Sequence, residues 1–351
     1  MSKLIRLPGL IDIHVHLRDP GETHKEDFYT GTSAALAGGV TTVFDMPTKS
    51  FHVLSAEELD TKIKTVSQKA LCNWGLYFGT DGKNIREFSK IKDKVIGLKI
   101  YLNMTTGHTL ISEEMLEDVF ANWPKEKPIV IHSEENKIQR VISLAEKYGN
   151  KIHITHVNTK SLLNSVILAK KKNIRITCDV TPHHLFLTDK KVETMGGFGM
   201  VKPPIATQED ADYLWNNLDK IDCIATDHAP HTTLEKKSDN PPTGMPGLET
   251  TLPLLLTAVK ESRIMIDDVV RLTNTNPQKI FNIKQSDDTY IEVDLDEKYQ
   301  IKNENLKTKC GWSPFDGWEV YGRIKNVFIR GTKVFEDGEI LIEPGFGRNV
   351  I

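Results

Sequence analysis

The sequence predicts an α/β protein: a closed (β/α)8 barrel of TIM type with a small β appendage built from both chain ends. Three observations predict it. Eight short apolar, β-branched runs recur between residues 10 and 226. Stretches of helical periodicity separate them, so the strands read as a parallel sheet covered on both faces. From about Ser286 the pattern changes to alternation of period two. Eight strands fit a closed barrel better than an open doubly wound sheet. No G-x-G-x-x-G follows the first strand, which leaves a dinucleotide fold with little support.

In chain order the predicted strands are Leu10–His16, Val40–Met46, Leu71–Phe78, Val95–Leu102, Ile129–Ser133, Ile152–Val157, Ile174–Val180 and Ile221–Thr226. Helices are expected around Thr30–Ala37, Ala56–Gln68, Glu113–Asn122, Glu135–Tyr148, Thr159–Lys172 and Gln208–Asn217. In the tail, Thr289–Leu295 alternates, and Val327–Phe335 reads as one strand joined to Glu339–Ile342 through an Asp337-Gly338 hairpin turn. Leu4–Leu7 is expected to join that sheet. The domains are then residues 9–285 for the barrel and residues 1–8 plus 286–351 for the appendage, read as structural cover.

Composition excludes several classes of function. With 351 residues, 39% hydrophobic and 26% charged, the chain is an ordinary globular protein. A net charge of −3 offers no basic footprint for nucleic acid. No apolar run reaches the ~18 residues of a membrane span, and the first residues lack a signal-peptide pattern. Cys72, Cys178, Cys223 and Cys310 are scattered, which suggests reduced thiols and a cytoplasmic protein.

The chemistry-bearing residues gather where barrel enzymes keep their sites, at the C-terminal ends of the strands. His14 and His16 sit at i and i+2, so a strand projects both to one face, as two corners of a metal site or as two satisfied core histidines. Arg18 has the same parity and could clamp an anion. His132 and His156 end the fifth and sixth strands, Asp179 lies on the seventh ahead of His183-His184, and Asp227 ends the eighth, before His228 and His231. Lys99 lies inside Gly-Leu-Lys-Ile-Tyr-Leu. A buried ammonium there is costly. It is read as a neutral base, as a carbamate formed with carbon dioxide that bridges two metals, or as a chain that snorkels to solvent.

Four stretches carry a resemblance: Pro-Gly-Leu-Ile-Asp-Ile-His-Val-His-Leu-Arg-Asp-Pro-Gly, Gly-Leu-Lys-Ile-Tyr-Leu-Asn, Thr-Pro-His-His-Leu-Phe and Thr-Asp-His-Ala-Pro-His-Thr. They resemble the amidohydrolase superfamily and, within it, dihydroorotases, most of all the dihydroorotase domain of the animal multifunctional pyrimidine-synthesis protein. The resemblance implies reversible cyclisation of N-carbamoyl-L-aspartate to L-dihydroorotate. It implies two zinc ions per chain, one on His14, His16 and Asp227 and the other on His132 and His156, bridged by carboxylated Lys99. Asp227 would be the catalytic base and then acid. Substrate contacts are implied for Arg18, Thr48, Thr105, Lys202, His231 and Thr243. A homodimer and association with aspartate transcarbamoylase are the implied partnerships.

The chain departs from the family pattern at several points. Thr48 stands where the family has Asn, and Lys202 where it has Arg or Asn, so a forked donor is replaced by a point charge. Thr106 replaces a phenylalanine in the catalytic-loop stretch Asn103–Thr109, and Thr155 replaces a cysteine that helps bind an extra zinc, so no third tight metal is expected. Two alternatives follow. One is a cyclic amidohydrolase acting on hydantoin or allantoin rings, the other a catalytically silent partner of aspartate transcarbamoylase.

Overall fold

A computed structural model describes residues 4–47, 50–103 and 110–351. The predicted barrel is present. Eight parallel strands follow in sequence order: β2 (Leu10–Val15), β3 (Val40–Asp45), β4 (Asn73–Gly79), β5 (Gly97–Tyr101), β6 (Ile129–His132), β7 (Ile152–Ile154), β8 (Ile176–Val180) and β9 (Cys223–Ile224). A parallel bridge between Val15 and His228, with the His16 amide donating to the His228 carbonyl at 2.8 Å, joins the first strand to the segment after the last. Helices of the expected lengths cover the outside, among them Ala56–Lys69, Glu113–Asn122 and Glu135–Tyr148. Ser55-x-x-Glu58 forms a capping box at the start of the first of these, which explains its sharp N-terminus.

The strand residues obey period two around most of the barrel. Leu98, Ile100, Ile129, Ile131, Ile152 and Ile154 face outwards into the layer under the helices. Val130 and Cys223 turn inwards, where they pack with Ile11, Ile13, Phe44, Tyr77 and Phe281 as an interior plug. Strand β2 breaks the period. A regular strand puts Ile13 and His14 on opposite faces. The register of β2 against β3 shifts between Asp12 and Val15, and Ile13 joins the plug while His14 reaches the mouth above it.

The predicted second sheet is antiparallel and contains both chain ends, in the order β1 (Leu4–Pro8), β10 (Tyr290–Gln300), β11 (Glu319–Ile329), β12 (Thr332–Glu336) and β13 (Glu339–Ile340). The Asp337-Gly338 turn is there, with φ of 42° and 98°. The expected single strand Val327–Phe335 is instead two, because Arg330 and Gly331 take φ of 52° and 74° and reverse the chain. Strand β7 ends at Ile154 and β9 at Ile224, so His156 and Asp227 both lie on the turns beyond, not on strands. Among the described residues no helix is long and apolar enough to cross a membrane.

Candidate active site

Six of the residues singled out in the sequence meet at the C-terminal mouth of the barrel. Asp227 Oδ1 lies 3.2 Å from His14 Nε2 and 3.2 Å from His16 Nε2. Across the mouth, His132 Nδ1 and His156 Nε2 are 2.9 Å apart. The His14 and His156 rings stand 5.4 Å apart, which links the two groups. Lys99 is wholly buried beneath them, its Nζ 3.5 Å from Thr155 Oγ1 and 4.9 Å from the Tyr101 ring.

Local backbone geometry aims these side chains. Arg18, His156 and Asp227 have φ of 63°, 41° and 46°, a left-handed conformation that costs an L-residue roughly 1–2 kcal/mol. Period two alone would turn His156 outwards, opposite to Thr155; its positive φ turns the chain instead. Three buried aspartates of the barrel strands hold this geometry. Asp179 Oδ1 accepts the His156 amide at 2.7 Å. Asp12 Oδ1 accepts the amides of His14 and Thr226, both at 3.1 Å, and so fastens the first and last barrel segments that carry this cluster together. Asp45 Oδ1 accepts the Leu17 amide at 2.7 Å, one residue before Arg18. Asp12 and Asp45 are functional residues that the sequence reading missed. An aspartate inside an apolar strand was the available signal. Asp179 also takes His153 Nε2 at 2.9 Å on its other oxygen, so both of its oxygens are engaged.

The donor set fits a metal. Burial, and after it the charge of nearby Lys99 and the neighbouring imidazoles, push His14 well below the usual histidine range. Burial and the adjacent His132 do the same to His156. Both rings are therefore neutral and offer lone pairs. Nδ1 of His14 and of His156 are buried without a hydrogen-bond partner. Ligand atoms on His14, His156 and Asp227 lie within 4.8 Å of one another. Donors about 2.0–2.1 Å from a tetrahedral zinc stand roughly 3.3 Å apart, close to the separations seen here. Burial raises the Asp227 carboxyl and lowers the Lys99 ammonium, so neither is at ease in its charged form without a compensating cation or carbon dioxide adduct.

The walls of the mouth carry the substrate candidates. His14, His16, Arg18, Tyr101, His132, His156, Lys202, Asp227 and Thr243 border one open cleft. Arg18 is buried; its Nε donates to the Pro230 carbonyl at 3.2 Å and its Nη2 lies 3.3 Å from His231 Nε2. That His231 nitrogen is also 3.1 Å from the Thr243 carbonyl. Burial and the Arg18 guanidinium push His231 down to about 2, so it is a neutral partner. Lys202 reaches the same cleft from an exposed position. Thr48 and Thr105, like Thr106, lie outside the described residues. His184 is structural, bonding Thr181 and the Pro203 carbonyl, and His228 spans Glu26 and the Gly247 amide.

The appendage, read from sequence as cover, reaches this mouth. The segment between β10 and β11 docks on the barrel through two carboxylates. Glu249 accepts the Lys307 and Thr308 amides at 2.8 and 3.0 Å, and Glu26 accepts the Thr308 hydroxyl and the Lys309 amide. Trp312 Nε1 then donates to the His231 carbonyl at 2.8 Å.

Known proteins match this chain in sequence and in architecture. Residues 5–289 match the family model described as the amidohydrolase family. The chain is 46% identical over 350 residues to the Multifunctional protein CAD of Squalus acanthias, covering 99% of this chain and spanning 16% of that protein's length. It is 37% identical over 363 residues to the Dihydroorotase of Pyrococcus abyssi, covering 97% of this chain and 86% of that one. Among solved structures, the L-hydantoinase of Arthrobacter aurescens superposes with a TM-score of 0.95 at 25% identity, covering 99% of this chain and 89% of that one. The inactive dihydroorotase-like domain of the CAD-like multifunctional protein of Chaetomium thermophilum gives 0.85 at 27% identity, with 99% and 100% covered. The chain belongs to the amidohydrolase family, and within it to the dihydroorotases.

Proposed function

We propose that the chain is a zinc-dependent dihydroorotase that interconverts N-carbamoyl-L-aspartate and L-dihydroorotate in pyrimidine biosynthesis. The observation that carries this reading is the pairing, in one cleft, of a buried guanidinium with a metal-type donor set. Arg18 can grip a carboxylate bidentately, and a hydantoin or allantoin ring has none to offer. His14, His16 and Asp227 would hold one zinc and His132 and His156 the other, with carboxylated Lys99 between them. When bound, the two cations lower the pKa of water and polarise the ring carbonyl.

The chain's own residues supply the rest. Arg18 and His231 hold the substrate carboxylate and orient the ring, with contacts from Thr243, Lys202, Thr48 and Thr105. In ring opening the oxygen of water bonds to the ring carbonyl carbon. Asp227 takes a proton from that water and delivers it to the ring nitrogen as the carbon–nitrogen bond breaks. Cyclisation runs the same path backwards: Asp227 first takes the proton from the attacking amide nitrogen as base and then gives it to the departing hydroxyl, which leaves as water. We assign residues 9–285 to the catalytic unit and residues 1–8 plus 286–351 to the appendage. A homodimer, association with an aspartate transcarbamoylase unit and a cytoplasmic setting complete the reading.

The likeness to an L-hydantoinase favours one second reading, a hydantoin-type amidohydrolase. Loss of ultraviolet absorbance on ring opening of L-dihydroorotate, with hydantoin and allantoin run in parallel, decides between them. Turnover of dihydroorotate is expected. Turnover only of another ring would overturn the assignment and make Thr48 and Lys202 the specificity switch. No turnover of any ring with zinc bound would favour a silent subunit.

A further inference from the structure

Lys236 is 1% exposed, yet no carboxylate among the described residues lies in ion-pair range of it. Burying an ammonium without an anion is costly unless its three donors are met. Here they are met by carbonyls alone: Met200 O at 3.1 Å, Pro242 O at 2.8 Å and Gly244 O at 3.0 Å. The face of Trp312 closes the site, its centroid 5.5 Å from Nζ. The three acceptors sit beside the residues that border the cleft. Met200 precedes Val201 and Lys202, and Pro242 and Gly244 flank Thr243. The Gly244 amide also donates to the Met200 carbonyl at 2.9 Å. Gly244 has φ of +144°, and a Cβ there would lie 2.5 Å from the Ala229 carbonyl and 3.1 Å from the His231 ring. The Thr243–Gly244 turn is thus pressed directly against the carboxylate-binding histidine.

We propose that Lys236 is a positioning residue for substrate binding: its ammonium staples the segment before Lys202 to the turn at Thr243, fixing two walls of the cleft and the His231–Arg18 pair behind them. Trp312 makes the appendage part of the same device, since its ring covers the ammonium while its Nε1 holds the His231 carbonyl. Lys236 touches no reacting atom. It acts by preorganising groups that would otherwise be ordered at the expense of binding energy.

The role rests on the proposed reaction only for the choice of substrate. Lys236→Met keeps the stem and removes all three donors. In the zinc-loaded enzyme it should raise the KM for L-dihydroorotate about tenfold and leave kcat within about threefold. Bound zinc should be unchanged, and amide exchange at Gly244 should accelerate. Lys236→Arg, which keeps charge and donors, should recover part of the lost KM. An unchanged KM with unchanged Gly244 exchange would overturn the proposal, and so would a fall in kcat at constant KM. Should Lys236→Met not fold, Trp312→Phe reads the same quantities: a smaller rise in KM with faster Gly244 exchange supports the staple, and neither change overturns it. If the wild-type protein opens no ring, the proposed reaction has failed. Gly244 exchange in the variant against wild type then decides the staple alone.

Discussion

The floor of the catalytic mouth and its rim are built on different principles. The floor is made of strand ends and the first residues beyond them: His14, His16, Lys99, His132, His156 and Asp227, all buried. Barrel hydrogen bonding and the strand aspartates Asp12 and Asp179 hold it. The rim is made of turns: Arg18 bonds the Pro230 carbonyl, His231 meets the Thr243 carbonyl and is held by Trp312 from the appendage, and Lys202 stands exposed beside them. A floor tied to eight paired strands has little freedom to vary. A rim held by single side chains can change its ligand without disturbing the chemistry beneath it. Lys202, one of the departures from the family pattern, falls on the rim.

Mutants at the two levels should differ in which kinetic constant they move. The largest effect belongs to the floor. Asp227→Asn should lower kcat by about 10³-fold or more, since it removes the proton carrier along with a ligand. Steady-state kinetics check this, and a change confined to KM would break the distinction. Lys99→Ala should lose activity to a similar degree, and short carboxylic acids should partly restore it by standing in for a carbamate. Absence of rescue, with zinc measured by elemental analysis, would remove the bridging role. Next comes Arg18→Lys, which keeps charge but loses the fork. The KM for dihydroorotate should rise about 10- to 100-fold while zinc content holds. The smallest mutational effect is expected at Lys202→Asn, a change of about threefold or less in kcat/KM because the position is exposed. Finally, a histidine pushed down to about 2 stays neutral throughout the working range. Protonation below that value would be needed to alter its charge, so KM should show no inflection from His231 between about pH 6 and pH 8. A KM–pH profile with a histidine step lost in His231→Gln would contradict it.

Much of the floor was legible because its signals are local. His14-x-His16 depends on strand parity, and Lys99 drew notice as a cation in an apolar run. The placement of His156 was legible only as a strand end. Its positive φ, set by the Asp179 carboxylate 23 residues away, needs the tertiary fold. On the rim, Arg18 was legible from strand parity, but Lys202, His231 and Thr243 took their roles only through resemblance, because nothing local to His231 or Thr243 tells that their groups meet across a turn. Arg330-Gly331 was overlooked for a different reason. Val327–Ile329 and Val334-Phe335 are both apolar, and joining them into one strand passes over the Gly-containing stretch between them, where the chain reverses.

By itself the sequence determined the barrel, the terminal sheet and the inventory of ligand-type residues. These follow from periodicity, strand number and side-chain chemistry, all properties of neighbouring residues. Only the tertiary structure decided the register shift that brings Ile13 and His14 to the same interior. It alone decided the aspartates that pin the ligands, the three carbonyls that gather on Lys236, and the reach of Trp312 to His231. Each of these is a bond between segments far apart in the chain. Which pair forms is settled by closing the barrel and satisfying every buried donor at once, a condition that no local stretch of sequence contains.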